Sequence, residues 1–184
     1  MNSLIGSLKS AEQIPLILRG HPQWVTWSAD RNPKDAERVI KCPYTAHNAS
    51  VRASVTDPSS WGSFDIALTA LNRHRDVFET RSNNANHPDL FGLGFVLTED
   101  DPFVGVDLDN AIDPATGEIR CWAQDIVENL ESYTEVSPSG TGLRIFVIGN
   151  IPVPGKRKGN HTTGAIELYQ SGRYLTVTGD RING

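Results

Sequence analysis

Apolar and polar positions along this chain follow two periods, and the switches between them mark out its elements. Trp24-Val25-Thr26-Trp27 predicts a strand, the polar stretch from Ser28 to Glu37 its turn, and Arg38 to Pro43 the returning strand. Trp24 and Trp27 are expected as packing residues. Ahead of them, Ser10-Ala11-Glu12-Gln13 has the S-x-x-Q form of a capping box and predicts a short helix from near residue 11 to Gly20. Ser50 to Ser60 is turn-rich. Phe64, Ala67, Leu68 and Leu71 then take helical spacing, with Ser63 at the start of a helix of about three turns. Arg81 to Asp89, rich in Asn, predicts a mobile loop.

The second half reads as a series of hairpins. Leu93 to Leu97 and Phe103 to Leu108 flank the turn Thr98-Glu99-Asp100-Asp101-Pro102. Tyr133 to Val136 and Leu143 to Ile148 flank Ser137 to Gly142, and Ala165 to Tyr169 and Arg173 to Thr178 flank Gln170-Ser171-Gly172. Between them, Asn110 to Gly117 and Ile151 to Gly164 are loops, and Trp122, Ile126 and Leu130 form the apolar stripe of a helix packed on a sheet. This order predicts an α+β fold of antiparallel or mixed sheets built from hairpins, with flanking helices. The 184 residues are expected to form one domain, with a first lobe over about 1–92 and a second over 93–184.

Composition narrows the function classes. With 38% apolar and 21% charged residues the chain is an ordinary globular protein. A net charge of −5 argues against gripping nucleic acid by charge alone and predicts weak, salt-sensitive DNA binding. Cys42 and Cys121 are isolated, which argues against a structural zinc and fits a reducing compartment. The apolar run Ile14 to Leu18 is short and broken by Pro15, so neither a signal peptide nor a membrane span is expected, and the default location is cytoplasmic.

Four constellations carry candidate chemistry. In Phe103-Val104-Gly105-Val106-Asp107-Leu108-Asp109 the two acids share one face of a strand, their Cα atoms about 6.5 Å apart. Such a pair repels unless a positive charge sits between, and a hard cation such as Mg²⁺ suits it; equally, one acid can cap the strand end and the other face water. In Ser137-Pro138-Ser139-Gly140-Thr141-Gly142-Leu143-Arg144, small residues let backbone N–H groups approach an anion and Arg144 can fork onto phosphate; a plain tight turn explains the glycines as well. Glu167 is the one acid in an apolar strand and needs a partner, either Arg173 across the hairpin or a cation shared with Asp107 and Asp109. The run Lys156-Arg157-Lys158 is a solvated loop or a phosphate contact. Acids with Arg and Lys on adjacent hairpins form an inventory suited to phosphoryl or nucleotidyl transfer.

These segments, together with Ile166-Glu167-Leu168-Tyr169 and Gly172-Arg173-Tyr174-Leu175-Thr176-Val177-Thr178-Gly179, resemble the three motifs of the archaeo-eukaryotic primase superfamily, in its phage- and plasmid-type primase-polymerase branch. Trp24-Val25-Thr26-Trp27, Pro43-Tyr44 and Trp61-Gly62-Ser63-Phe64 resemble that branch's N-terminal segment, so the likeness spans nearly the whole chain. The resemblance implies an RRM-like lobe carrying the motifs beside an N-terminal α/β lobe. It implies two Mg²⁺ or Mn²⁺ ions on Asp107, Asp109 and Glu167, and triphosphate contacts from Ser137, Ser139 and Arg144; from the reading of the residues themselves Gly140, Lys156 and Lys158 are expected to join them. It further implies Tyr174 near the nucleotide sugar with Arg173 close by. The implied substrates are dNTPs or NTPs on a single-stranded DNA template with a primer, in a protein that commonly continues into a helicase domain; this chain would then be a piece of a longer replication protein. One departure stands out: the family's second motif usually ends in histidine, where this chain has Arg144, which keeps the charge but cannot exchange a proton near neutral pH. His161 is a possible substitute.

The rival from another class is a catalytically weak or inert module that binds nucleotide or single-stranded DNA. A calcium loop starting at Asp107 fails because Ala111 and Ile112 stand where an oxygen ligand and a glycine are needed. A haloacid-type phosphatase would want threonine where this chain has Ala111, and a parallel sheet.

Overall fold

Nine strands fall into two antiparallel sheets in a computed structural model that describes residues 6–32, 34–84, 90–152 and 157–182. Strands β1 (Trp24–Asn32), β2 (Asp35–Tyr44), β3 (Phe91–Leu97) and β9 (Arg173–Val177) form a four-stranded sheet in the order β2-β1-β3-β9. Strands β4 (Phe103–Asp109), β5 (Tyr133–Val136), β6 (Leu143–Ile148), β7 (Arg157–His161) and β8 (Gly164–Tyr169) form the other, in the order β5-β6-β4-β8-β7. Among the described residues four α-helices accompany them: α1 (Leu16–Arg19), α2 (Phe64–Arg73), α3 (Arg75–Asn84) and α4 (Cys121–Leu130). The fold is α+β, as the pattern predicts.

The central strand β4 shows how alternation positions the chemistry. Val106 and Leu108 point to one face, where with Leu143 and Ile145 they pack on Ala123 and Val127 of α4. Trp122, Ile126 and Leu130, the predicted stripe, flank that contact. Phe103, Gly105, Asp107 and Asp109 take the other face. At Gly105 that face meets Leu97 and Leu175 of the four-stranded sheet so closely that a Cβ would collide with their methyl groups. A run of edge-to-face rings joins the two sheets, with centroids 4.9 Å apart for Trp24–Phe64, 5.3 Å for Trp24–Phe95, 5.6 Å for Phe95–Phe103 and 6.1 Å for Phe95–Phe146. Trp24 and Trp27 are fully buried, their indole N–H groups donating to the carbonyls of Leu18 and Leu93, so both are packing residues.

Several expectations need correction. The segments before and after Thr98–Pro102 are not a hairpin: β3 pairs with β1 and β9, and β4 with β6 and β8. The last two strands likewise part company, β8 joining β4 and β7 while β9 joins β3. Both turns are corners at which the chain changes sheets. Buried Asp101 builds the first, accepting from Gln23 Nε2 and Thr98 N (2.7 Å each) and from Phe103 N (2.8 Å). A short polar turn looks the same in sequence whether its strands pair or diverge, because the partner is chosen by distant apolar contacts. The expected turn from Ser28 to Glu37 is mostly strand, since β1 and β2 run almost to one another. Arg81 to Asn84 belong to α3, anchored by buried Phe78 and Ser82, while 85–89 lie outside the described residues. The loop from Ile151 to Gly164 contains β7, the outer partner of β8. The N-terminal helix shrinks to α1, starting after Pro15; Ser10 Oγ still accepts from Gln13 N at 3.4 Å, though no helix follows directly.

Gly164 sits where β8 begins beside the last residue of β4. A methyl group there would drive into the Asp109 carbonyl oxygen and lie 2.8 Å from the Trp122 ring. Backbone cannot yield as a side chain does, so Gly164→Ala is expected to lower stability by about 1–3 kcal/mol in urea unfolding.

Candidate active site

Strand register places five charged residues in one row across the five-stranded sheet. Glu135 of β5 lies opposite Arg144 of β6, Arg144 opposite Asp107 of β4, Asp107 opposite Glu167 of β8, and Glu167 opposite Lys158 of β7. Directly opposed residues bring their Cβ atoms to about 4.5–5.5 Å, so neighbours in the row interact strongly. The side chain of Lys158 lies outside the described residues, as does Lys156 altogether. Asp109 follows on the same face of β4, exposed at its end.

Arg144 is the fixed cation of this row. It is 6% exposed. Its Nη1 donates to the Thr176 carbonyl at 3.3 Å and to the Thr176 hydroxyl, which ties β6 to β9 of the other sheet. Its Nε lies 3.5 Å from Asp107 Oδ1, an ion pair between a buried guanidinium and a partly buried carboxylate. That Nε has no hydrogen bond of its own, so one charged donor of Arg144 is still directed at the carboxylate side without a full partner. Behind it, Glu135 is completely buried. Its Oε2 accepts from Tyr133 Oη at 2.7 Å and Gly179 N at 2.9 Å, and its Oε1 from Thr178 N at 2.9 Å. Burial raises the Glu135 pKa, opposed by these hydrogen bonds and by Arg144. Glu167, also buried, accepts a hydrogen bond from Tyr169 Oη, and Arg173 lies 5.0 Å over the Tyr169 ring rather than across a hairpin from Glu167.

The serine turn stands at the open end of this row. Its close is a tight turn, Gly140 N donating to Ser137 O and Ser137 N to Gly142 O, both at 2.9 Å, with Gly140 at φ 76°. Three hydroxyls form a chain, Ser137 to Ser139 at 3.0 Å and Ser139 to Thr141 at 3.2 Å. A Cβ on Gly142 would lie 3.0 Å from the Leu108 carbonyl, and Ile112 N donates to Thr141 O at 2.9 Å, so the turn is set directly against the segment carrying Asp109. Hydroxyls, a left-handed glycine and the acidic strand end thus come together.

Two sequence-predicted residues take other environments. Tyr174 is packed with Val25, Val96 and Trp61, its ring fitting against Gly94, and its hydroxyl donates to the Lys41 carbonyl at 2.8 Å. Burial raises its pKa well above the ordinary tyrosine value. His161 stacks on Trp122 at 5.0 Å, on the helix side of the sheet and away from the carboxylate face, so it does not replace the motif's usual histidine.

One participant was missed in the sequence. Lys41 of β2 extends over Trp27, its Nζ 5.7 Å from the ring centroid. Desolvation lowers its pKa to about 8, with Arg144 pushing the same way and Asp107 and Asp109 pulling it back up. The charges of Arg144, Asp107 and Asp109 thus act on it from the other sheet. The signal was one lysine inside the strand Val39-Ile40-Lys41-Cys42, legible as a buried charge needing a partner but not as to which.

The carboxylates offer hard oxygen donors of the type Mg²⁺ and Mn²⁺ prefer, and Asp107 and Glu167 are direct neighbours. Yet no group of three or more His, Cys, Asp or Glu among the described residues is gathered closely enough to hold an ion. The donor set fits, but Asp107 is drawn to Arg144 and Glu167 to Tyr169. No helix among the described residues is long and apolar enough to cross a membrane.

The chain is similar to a DNA primase-polymerase of Nitratiruptor phage NrS-1, 40% identical over 176 residues. The match covers 94% of this chain and 21% of the phage protein, so the chain spans about a fifth of that relative. No protein-family model matches the chain.

Glu135→Gln tests the support behind Arg144. An amide cannot accept all three hydrogen bonds, and it removes the charge behind the buried guanidinium. Stability is expected to fall by about 1–3 kcal/mol in urea or thermal unfolding.

Proposed function

We propose, from the premise that this chain is homologous to one segment of a phage DNA primase-polymerase, that it carries out metal-dependent, template-directed nucleotidyl transfer. Nucleoside triphosphates are the substrates and single-stranded DNA the template. The observation that carries this reading is the cross-strand row Arg144–Asp107–Glu167, set beside a hydroxyl-rich turn. Three carboxylates on one face would hold two divalent ions. When bound, such ions supply the positive charge that orients an attacking 3′-hydroxyl and stabilises departing pyrophosphate.

The chain's own residues do the remaining work. Ser137, Ser139 and Thr141 present hydroxyls, and Gly140 leaves the turn open to close approach by phosphate oxygens. Arg144 is held at both ends, by Thr176 and by Asp107, and places a permanent positive charge beside the transferring phosphate. Lys158 opposite Glu167, Lys156 and exposed Arg173 are further cations for the nucleotide or template. Tyr174 packs with Val25, Val96 and Trp61 on the four-stranded sheet. Arginine in place of histidine assigns this position an electrostatic role, with no proton to donate near neutral pH.

Extension of a primed template with dNTPs and Mg²⁺ or Mn²⁺ is expected from the wild type. Asp107→Ala, Asp109→Ala and Glu167→Ala should each cost at least about a hundredfold. Nucleotide or DNA binding without incorporation by the wild type would favour the inert binding module instead. The electrostatic assignment of Arg144 makes its own prediction. Wild-type incorporation should show no ionisation of histidine type between about pH 5.5 and 7.5. Arg144→His should acquire one, its rate falling as pH rises and the imidazole loses its charge.

A further inference from the structure

The segment before α1 meets the serine turn around a cavity of about 280 Å³. Ser137, Ser139 and Gly140 form one part of its wall, and Ser7 and Lys9 another. That volume is at the lower end for a ligand site, and suits a chain of phosphates better than a whole nucleotide. Among the described residues that line it, Lys9 is the one cation and Asp180 the one acid. No atom lies within 4 Å of where a Cβ on Gly140 would stand, so the turn leaves room on its side.

The backbone brings Lys9 to this place and is fastened on both sides of it. Ser7 N donates to the Phe91 carbonyl at 2.8 Å, while Lys9 N and Ser10 N donate to the Thr178 carbonyl at 2.7 and 3.4 Å. The Thr178 and Gly179 N–H groups in turn donate to Glu135, at 2.9 Å each. The stretch that anchors Lys9 therefore also anchors the carboxylate behind Arg144, and the lysine backbone is held in place relative to the charged row. The residue itself is exposed. Its ammonium keeps its charge at no cost of burial, and its flexible stem can bring three donors to a phosphate.

The serine turn needs such a partner. Hydroxyls and a close backbone approach can position phosphate oxygens but bring no net positive charge. Asp180 adds a negative charge to the same wall, which opposes an anion. Lys9 is the group placed to offset both. We infer that Lys9 binds the triphosphate of the incoming nucleotide together with Ser137, Ser139 and Gly140, so that the segment before α1 is part of the nucleotide site. The inference rests on the nucleotidyl-transfer reading and adds to it a substrate-binding residue from outside the segments that carry the other candidates.

The test is primer extension by the whole chain at varied dNTP concentration, beside direct titrations of a non-hydrolysable dNTP and of single-stranded DNA. Lys9→Met is expected to raise the dNTP KM and the nucleotide Kd about fivefold to tenfold, the effect of one nearby charge in a largely aqueous setting. The fall in kcat should be much smaller, and DNA affinity should hardly move. Lys9→Arg should restore both values toward wild type, and Asp180→Asn should shift both the other way, toward tighter binding. Unfolding curves on each variant confirm that it is folded. Unchanged values in Lys9→Met would overturn the inference, as would weaker nucleotide binding in Asp180→Asn. A loss confined to DNA affinity would overturn it too, by assigning the ammonium to the template backbone. Failure of the underlying reading looks different: the wild type would then incorporate no nucleotide, while the nucleotide Kd of Lys9→Met against wild type still tests Lys9.

Discussion

Placing two carboxylates directly opposite one another, on neighbouring strands in the middle of a sheet, is the constraint on which the rest of this structure depends. Asp107 and Glu167 are cross-strand partners, and like charges so placed oppose the pairing that holds them. The fold answers on every side. Arg144 stands on the other flank of Asp107, and Tyr169 donates to Glu167. Arg144 would itself be a buried charge in trouble, and Glu135 stands behind it while Thr176 caps one end. Removing one partner of a buried pair leaves its neighbour to bear the desolvation cost alone.

That row also explains the shape of the protein around it. Arg144 of one sheet is held by Thr176 of the other, so the row depends on how the two sheets meet. The aromatic run through Trp24, Phe95, Phe103 and Phe146 supplies the apolar part of that junction. Gly105 permits the close approach at Leu97 and Leu175. Where the shared face is apolar the sheets seal together, and two residues further along β4 it becomes acidic and the seal gives way to the site.

The carboxylates and hydroxyls of the site are engaged with other protein groups. Asp107 and Glu167 are engaged by protein groups, and the hydroxyls of Ser137, Ser139 and Thr141 bond to one another. Each of these contacts is exchangeable for one to an ion or a phosphate oxygen at modest cost, since hydrogen bonds are swapped rather than lost. The permanently charged Arg144, by contrast, is braced from both sides and provides a constant field.

What the sequence determined by itself was local and periodic. Alternation along Phe103 to Asp109 put Val106 and Leu108 on one face and the acids on the other, and no tertiary contact is needed for that. The same logic singled out Glu167 as an acid that requires a partner, and the Ser137 to Arg144 turn as a place of close backbone approach. Only the tertiary structure decided who the partners are. Glu167 proved to lie against Asp107 and Tyr169 rather than across a hairpin from Arg173. The turns at Thr98–Pro102 and Gln170–Gly172 proved to be corners between sheets. The charges of Asp107 and Asp109 act on Lys41 from a strand more than sixty residues away. A period fixes the direction in which a side chain points; which strand or charge it meets depends on how distant apolar surfaces settle, and that is not written in any one stretch of chain.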